Sequence, residues 1–425
     1  MEERIRQAVS EALREAVVAD VAFSVERPTE AAHGDYAVNA AMAAAKAAGK
    51  NPRELANALA HKLRAALRDA VSRVDIAGPG FINITLARDT VTSIVAFADA
   101  QGDAWGTGNA RASEKVMVEY TDPNPFKEMH IGHLMSNTIG EAVARLTKNA
   151  GALVMRANYQ GDVGPHVAKA LWGLLDAGIA DPASAGELGK AYAHGAKAYE
   201  ESPKAKEAID AINRAIYAGT DPELAELWRN GREVSLEAFE ELYRRLGTKF
   251  DFYFFESETA LPGMEIVRDG LARGIFEESD GAIIYRGEKK GFHTRVFITA
   301  HGTPTYEAKE LGLAFLKEER WPSDRSLILT AHEQVGHFEV VNAALEDIAP
   351  LLAKKTKHIA HGFLKLTSGK MSSREGNVIT AAGLLKEVTE KAQEKNEDPL
   401  IAEQVAVGAL KYMILRQAPG SDIVF

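Results

Sequence analysis

Cysteine is absent from the 425-residue sequence. Disulfides, thiolate metal sites and a cysteine nucleophile are therefore excluded, and the composition suits a reducing compartment. The sequence also lacks an uncharged apolar stretch of about twenty residues, the length needed to span a bilayer. Residues 1–17 carry early acidic side chains and helical periodicity, a pattern unlike that of a signal peptide. We therefore expect no membrane partner.

Runs of lysine and arginine are missing too, and the formal net charge is −10. Proteins that bind nucleic acid are usually basic, at least locally, so the composition gives no support for such a partner. Any contact with RNA would have to come from a patch formed on folding. The apolar and charged fractions, 46% and 26%, are ordinary for a globular chain, and the length predicts two or three domains.

The first part of the chain, residues 1–112, is predicted to be a small α+β domain. Apolar positions at helical spacing predict an amphipathic helix within 1–18. A Gly-Lys-Asn-Pro signal separates two predicted helices across 33–59. A Gly-Pro-Gly turn precedes an alternating strand at 81–86, and the glycine-rich segment 101–108 is predicted to be a linker.

A different pattern follows the linker. It consists of a short β run at 115–120, a loop rich in proline and asparagine, a helix from about Gly132 to Asn149, and a strand at 153–159. Strand, helix and strand form a βαβ unit, which implies a parallel sheet. The sequence therefore predicts a doubly wound, Rossmann-like α/β domain over 113–380.

The rest of the chain adds three features to this domain. Residues 166–248 are mostly helical and polar, which suggests an insertion. Strand-like runs return at 282–287, 295–300 and 326–331. The final segment, 381–425, is predicted to be helical as far as residue 418.

His130-Ile131-Gly132-His133 lies where the predicted loop meets the predicted helix. A helix N-terminus offers unpaired N–H groups and a partial positive charge, which suit a phosphate. A glycine has no Cβ and lets a base or ribose approach, and two imidazoles can donate hydrogen bonds as charge builds in a displacement. Alternatively, these are structural helix-cap residues brought together by chance. The strand before and the helix after favour the functional interpretation.

A second polar motif runs from Lys370 to Asn377, between an apolar segment and a predicted helix. Lysine and arginine together with small hydroxyls in a loop can clamp a polyphosphate. On its own, a solvated charged loop is the simpler interpretation of this motif.

Together the two motifs resemble the HIGH and KMSKS elements of class I aminoacyl-tRNA synthetases. The sequence between them narrows the resemblance to arginyl-tRNA synthetases, and the first domain, with HGDYAVNAA and GPGFINITL, is similar to that family's extra N-terminal domain. The resemblance covers essentially the whole chain in order and spacing. Its further runs are VEYTDPNPFKEMHIGHL, RANYQGDVG, LGTKFDFYFFESE, DGAIIYRGEKKGFHTRVFITAHGTPTYEAKELGL and KYMILRQAPGSDIVF.

The substrate that this family would imply needs a particular pocket. Arginine carries a guanidinium that never deprotonates, so a specific site needs carboxylates placed for forked hydrogen bonds. The resemblance implies that Glu119, Asn124, Tyr306 and Glu310 hold the arginine. Tyr306 and Glu310 lie on one face of a predicted helix. The family usually has aspartate at the place of Glu310, which alternatively is a surface residue paired with Lys309.

Two further segments follow predicted strands, where open α/β sheets bind ligands. They are 161–164, with the sequence GDVG, and 332–334, with the sequence HEQ. We expect both to face the same crevice, and we assign Gln334 to arginine binding. The alternative is that both are ordinary loops.

The ATP site implied by the resemblance combines both motifs. His361 and Gly362 are expected to hold adenine through backbone contacts. Ser373 replaces the second lysine of KMSKS, so Lys127 or Arg374 would supply that phosphate contact. We predict as catalytic residues His130, His133, Lys127 and Lys370, and as ATP-binding residues His130, Gly132, His133, Lys127, His361, Gly362, Lys370, Met371, Ser372 and Ser373. No metal-ligating residue is predicted, and Mg²⁺ would enter with ATP.

The sequence therefore predicts a monomer in the cytoplasm that activates L-arginine with Mg-ATP and transfers it to tRNA(Arg). The resemblance also implies that 381–425 is the incomplete start of a helical anticodon-binding domain. One alternative is a nucleotidyltransferase that does not use tRNA. The other is a catalytically weak RNA- or protein-binding paralogue, favoured by the negative charge and the absent C-terminal domain. The intact HIGH motif, Lys370, Glu119 and Asn124 argue against that loss of activity.

Overall fold

The computed structural model describes residues 1–16, 21–365, 379–418 and 420–424. The chain divides into two compact units, Met1–Thr107 and Gly108–Phe425. The predicted linker at 101–108 contains the point of division.

The first unit combines four helices with a four-stranded antiparallel sheet of order β1-β2-β4-β3. Ile5, Val9 and Leu13 form the buried face of the predicted amphipathic helix. The prediction of a helix across 33–48 is wrong at its start, because 36–38 form a strand paired on both sides. The elements are α1 (Glu2–Glu15), β1 (Val25–Glu26), β2 (Tyr36–Val38), α2 (Ala40–Ala48), α3 (Pro52–Leu67), β3 (Val71–Ala77), β4 (Phe81–Leu86) and α4 (Arg88–Gln101).

The second unit alternates strands and helices, as the predicted βαβ pattern requires. Its first elements are β5 (Lys115–Tyr120), α5 (Ile131–Asn149), β6 (Leu153–Gln160), α6 (Pro165–Asp176), α7 (Ala185–Glu201), α8 (Pro203–Ala218), α9 (Pro222–Leu246), β7 (Phe252–Phe255) and α10 (Glu256–Ala272). They continue with β8 (Glu277–Ser279), β9 (Ala282–Tyr285), β10 (Arg295–Ile298), α11 (Tyr306–Arg320), β11 (Arg325–Ala331), α12 (Val335–Ile348), α13 (Pro350–Lys355) and β12 (Thr356–His361). The last are β13 (Leu364–Lys365), α14 (Ala381–Gln393), α15 (Pro399–Leu415) and β14 (Ile423–Val424).

Five parallel strands form the central sheet in the order β12-β11-β5-β6-β7. Numbered by their appearance in this sheet, they read 3-2-1-4-5 from β7 to β12, which is the classic Rossmann order 3-2-1-4-5-6 without its sixth strand. The predicted doubly wound α/β fold is therefore confirmed. The order reverses between β5 and β11, and open sheets of this kind bind ligands at the carboxyl ends of such a strand pair.

Two of the three predicted later strands lie outside the central sheet. β9 and β10 form a separate three-stranded antiparallel sheet with β8, whereas β11 joins the parallel sheet. Helices α6 to α9 occupy the stretch predicted to be a helical insertion and pack around Phe126, Leu171 and Leu227.

The predicted helical end of the chain consists of α14 and α15, which contribute Leu385, Ala406 and Leu410 to the same core as α5. Beyond them, β14 pairs in parallel with β13. Among the residues described above, no helix is long and apolar enough to cross a membrane.

Candidate active site

A cavity of about 960 Å³ opens at the point where the strand order reverses. The ends of β5, β6, β11 and β12 border it, together with the first turns of α5, α10 and α11. The predicted site residues that line it are Glu119, Asn124, His130, Gly132, His133, Tyr306, Glu310, Gln334, His361 and Gly362. The predicted Lys370, Met371, Ser372 and Ser373, and the alternative Arg374, lie outside the described residues.

The two histidines of the first motif build the N-terminus of α5. His130 is the N-cap residue, and its Nδ1 accepts a hydrogen bond from the Gly132 N–H at 3.1 Å. The His133 Nδ1 in turn accepts from the His130 N–H, also at 3.1 Å. The rings stack with centroids 3.9 Å apart. The helix-cap interpretation and the functional interpretation are therefore compatible, because the cap residues also line the cavity.

These contacts fix the chemistry of both imidazoles. Burial, and then the charge of Lys127, lower the pKa of His130. Burial and the neighbouring His130 lower the pKa of His133 well below its usual value. Each ring is therefore neutral, with Nδ1 as acceptor, so its proton is on Nε2. The cavity thus has two uncharged N–H donors held in fixed tautomers.

Gly132 has a local structural role in addition to the one expected. A Cβ here would lie 2.8 Å from Cε1 and 2.9 Å from Nδ1 of His130. The imidazole of His130 folds back onto the helix at this position, and Gly132 also lines the cavity, so the expected approach of a base or ribose stays a prediction. Glycine at this position therefore permits the histidine cap.

Lys127 is not among the residues that line the cavity. Its ammonium lies 4.3 Å from the centroid of the Tyr192 ring on α7, a cation–π distance. Its charge still lowers the pKa of both motif histidines, which places it close behind them.

The segment 379–381, which follows the lysine motif in the sequence, is joined directly to the first motif. The Ile131 N–H donates to the Ile379 carbonyl at 3.2 Å, and the Ala381 N–H donates to the Met129 carbonyl at 2.7 Å. His130 and Thr380 form an antiparallel bridge between these bonds. The segment that follows the second motif in the sequence is therefore connected to the first motif through backbone hydrogen bonds.

His361 and Gly362 close another side of the cavity. His361 is 3% exposed, and burial lowers its pKa. The backbone of Ser421 packs against Gly362, and a Cβ there would collide with it. The Ile423 N–H donates to the Phe363 carbonyl at 2.8 Å. The segment after α15 therefore helps to shape this wall.

Carboxylates dominate the opposite side of the cavity. Glu119 forms an ion pair with Lys317, and both are buried. Glu256 at the start of α10 forms a second buried pair with Lys309, at 2.5 Å. Buried ion pairs of this kind neutralise their own charge.

Glu310 lines the cavity and does not pair with Lys309, so its surface interpretation is wrong. Burial, and then the charge of Glu119, raise the pKa of Glu310 to about 7. A cation placed beside it would restore its ionised form.

The loop after β5 holds an acidic residue that the sequence analysis did not select. Thr121 and Asp122 both have left-handed backbones, with φ of +81° and +45°. The Thr121 N–H donates to Ser136 Oγ on α5 at 3.1 Å, and Thr121 Oγ1 accepts from the Asn137 amide at 3.1 Å. Asp122 Oδ1 accepts from the Tyr159 N–H on β6 at 2.8 Å.

Asp122 lines the cavity. Burial, and then the charge of Glu119, raise the pKa of Asp122 well above its ordinary value. Its sequence signal is an aspartate that follows a strand closely and stands directly before the first of two prolines, Pro123 and Pro125.

The two segments expected after strands behave differently. Gly161 lines the cavity, and the side chain of Asn124 lies against it where a Cβ would be. Asp162 is structural, since its carboxylate accepts from Ser257 at the start of α10 and pairs with Arg232 at 3.0 Å. Glu333 and Gln334 line the cavity, whereas His332 is exposed outside its lining.

A third ionic group at the cavity comes from residues that no sequence motif indicated. Glu307 on α11 lies 3.4 Å from Arg295 of β10 and 3.4 Å from His337 of α12. These residues meet only through tertiary packing, so no spacing in the sequence could indicate their contact.

The arrangement can hold an anionic group and a cationic group in one cavity. Neutral imidazole N–H groups and the N-terminus of α5 suit an anion such as a phosphate. Among the described residues, no three His, Asp or Glu side chains converge as a metal site.

Comparison with known proteins agrees with this geometry. The family described as "tRNA synthetases class I (R), catalytic domain" matches residues 97–425, and "Arginyl tRNA synthetase N terminal domain" matches residues 3–86. The arginine–tRNA ligase of Treponema pallidum is 30% identical, covering 94% of this chain and 71% of that protein. The arginine–tRNA ligase of Treponema denticola is 29% identical, covering 82% of this chain and 62% of that protein.

Solved structures show the same fold. The arginyl-tRNA synthetase of Thermus thermophilus matches with a TM-score of 0.74 at 24% identity, over 100% of this chain and 77% of that one. The enzyme of Plasmodium falciparum matches with a TM-score of 0.70 at 20% identity, over 100% and 75%. Against the two Treponema relatives the chain spans 71% and 62% of their length. Since the catalytic-domain match covers most of the sequence, the chain belongs to the arginyl-tRNA synthetase family of class I aminoacyl-tRNA synthetases.

Proposed function

We propose that this chain activates L-arginine with Mg-ATP and transfers it to tRNA(Arg). The observation that carries the proposal is one cavity that joins two neutral histidine donors at a helix N-terminus to Asp122 and Glu310, which form no ion pair with a lysine or arginine among the described residues. Arginine has the cation, and ATP has the anion. The two sides therefore match the two substrates whose reaction the family catalyses.

The first step joins the two substrates at the α-phosphorus of ATP. An oxygen of the arginine carboxylate attacks, a new P–O bond forms, and the bond to the leaving pyrophosphate breaks in line. The Nε2–H groups of His130 and His133 donate to phosphate oxygens as charge builds there. Mg²⁺ enters with ATP as part of the substrate. Lys370, Met371, Ser372 and Ser373 would contact the phosphates from the lysine loop, and Lys127 would add positive charge from behind the histidines.

In the second step the terminal ribose of tRNA takes the arginyl group, and AMP leaves. No general base is assigned. Catalysis is by positioning and by charge stabilisation.

The amino acid is held by five residues in this proposal. Glu310 and Tyr306, one turn apart on α11, bind the guanidinium. Glu119, neutralised by Lys317, orders the floor of the pocket. Asn124 and Gln334 contact the polar end of the substrate. His361 and Gly362 hold the adenine, since they line the same cavity.

The domain roles are also part of the proposal. Residues 1–112 contact tRNA outside the anticodon, 113–380 carry out the chemistry, and 381–425 begin a helical anticodon-binding domain. The family match to the N-terminal domain supports the first assignment. The proposal also takes the enzyme to be a monomer and places it in the cytoplasm, where its substrates take part in translation.

The deciding experiment is arginine-dependent exchange of pyrophosphate into ATP, measured with and without tRNA(Arg). Citrulline replaces the guanidinium by a neutral group of similar shape and is the control substrate. We expect exchange with arginine and none above background with citrulline. Exchange that does not depend on the amino acid would contradict the proposal and favour a nucleotidyltransferase without tRNA.

A further inference from the structure

The charges around the cavity do not balance within the protein. Glu119 is paired with Lys317, Glu256 with Lys309, and Glu307 with Arg295. In the part of the chain that the structure describes, Asp122 and Glu310 line the cavity without an ion pair to any lysine or arginine. In the same part of the chain, Glu333 also lines the cavity without such a pair, but it is exposed, so Asp122 and Glu310 are the two partly buried carboxylates that remain for ligands.

Arginine carries two cationic groups, the guanidinium and the α-ammonium. We propose that Asp122 binds the α-ammonium of arginine and that Glu310 binds the guanidinium. This inference rests on the proposed function and assigns the two ends of the substrate within that site. It adds Asp122 as a residue that selects an α-amino acid over other guanidinium compounds.

The position of Asp122 supports this division. Its neighbour Thr121 is bonded to Ser136 on α5, one turn after His133, so the loop lies against the phosphate-binding end of the cavity. Glu310 lies on a different element, α11, and the charge of Glu119 raises the pKa of both Asp122 and Glu310. The α-ammonium and the reacting carboxylate share one carbon atom. The group that pairs with the ammonium must therefore lie at the end where the α-phosphate is attacked.

The local bonding of Asp122 suits the same role. Oδ1 is used by the Tyr159 N–H, which fixes the carboxylate and leaves Oδ2 for a ligand. Burial and Glu119 raise the pKa of Asp122, so the ionised form gains most from an added cation. The left-handed backbone is one that aspartate and asparagine tolerate better than other side chains except glycine.

The test compares Asp122→Asn with the wild type, using two ligands that differ only in the α-ammonium. These are L-arginine and 5-guanidinopentanoate, and dissociation constants are measured by calorimetry. Asparagine keeps the acceptor for the Tyr159 N–H and the left-handed backbone, so the variant should fold. The matched control is Asp251→Asn, because Asp251 Oδ2 also accepts one β6 N–H, that of Arg156, at 2.8 Å outside the cavity.

We expect Asp122→Asn to weaken L-arginine binding by roughly 10- to 100-fold, the scale of a hydrogen bond to a charged group. Binding of 5-guanidinopentanoate should change by less than about threefold, and Asp251→Asn should alter neither ligand. Glu310→Gln should weaken both ligands alike. Equal losses of both ligands in Asp122→Asn, or no loss, would overturn the inference while leaving the proposed function intact. If the wild type does not prefer arginine to citrulline, the proposed function itself fails.

Discussion

Burial shifts the pKa values at the two ends of the cavity in opposite directions, and at both ends it favours the uncharged form. At the N-terminus of α5, burial lowers the pKa of His130 and His133, so they stay uncharged. On the acidic side, burial raises the pKa of Asp122 and Glu310, which also moves them toward the uncharged form. One physical effect, desolvation, thus prepares both ends.

The consequence differs because the ligands differ. A neutral imidazole already has the N–H that a phosphate needs. At any pH above its lowered pKa the ring is neutral and still carries the Nε2 proton. A carboxyl group with a raised pKa must lose its proton to bind a cation. The phosphate end is therefore expected to be insensitive to pH near neutrality, and the amino-acid end to be sensitive.

The strongest test of the phosphate end is His133→Ala. Removing one preorganised donor should lower the rate of arginine activation by roughly 10²- to 10³-fold. The affinity for ATP should fall less, because the contact strengthens as charge builds. Single-turnover adenylate formation separates the two quantities. The control is His194→Ala, an exposed imidazole on α7 that pairs with Asp176. Unchanged turnover in His133→Ala would limit this histidine to helix capping.

The acidic end is tested by the pH dependence of arginine binding. With the pKa of Glu310 at about 7, the carboxylate is mostly present at pH 8 and mostly protonated at pH 6. The groups that act on it are Glu119, Glu256, Lys317 and His337. From Glu310 alone, the arginine dissociation constant should therefore be about tenfold larger at pH 6 than at pH 8, and any protonation of Asp122 would add to this loss.

Glu310→Gln is the variant that checks this assignment. It should bind arginine weakly and show a flatter profile, since glutamine does not titrate in this range. A wild-type profile that is flat from pH 6 to pH 8 would show that Glu310 is already ionised in the free protein.

The smallest expected effect concerns the cap itself. His130→Ala removes the acceptor for the Gly132 N–H and should lower the free energy of unfolding by about 1 kcal/mol. His130→Asn keeps a side-chain acceptor and should restore most of that stability. Both variants lose the ring N–H and should be equally slow in activation. Urea denaturation and exchange assays together measure the difference. Equal stability of the two variants would show that the cap bond contributes little.

The central fold could be predicted because its signals are local. The β5–α5–β6 unit has a strand, a loop and a periodic helix in sequence, and the structure forms them within a residue or two of the expected bounds. The predicted site residues outside the lysine loop meet at one cavity, apart from Lys127, because the carboxyl ends of parallel strands share one edge.

Other features depend on contacts that the sequence does not display. The strand β2 has three residues, too few for a periodic pattern, and it exists because β1 and β4 pair with it. Lys309 and Glu310 are adjacent in sequence, yet successive residues of a helix point in different directions. Lys309 therefore pairs with Glu256, and Glu310 reaches the cavity.

The left-handed pair after β5 has a consequence for laboratory evolution. Residues other than glycine pay roughly 1 kcal/mol or more in this backbone region, so glycine at either position would relieve strain. It would also delete the Thr121 hydroxyl that holds Asn137, or the Asp122 carboxylate. The relief of strain is therefore offset by the loss of a hydrogen bond to a buried partner, so selection for heat resistance should not enrich glycine at 121 or 122, and selection for charging activity should remove it.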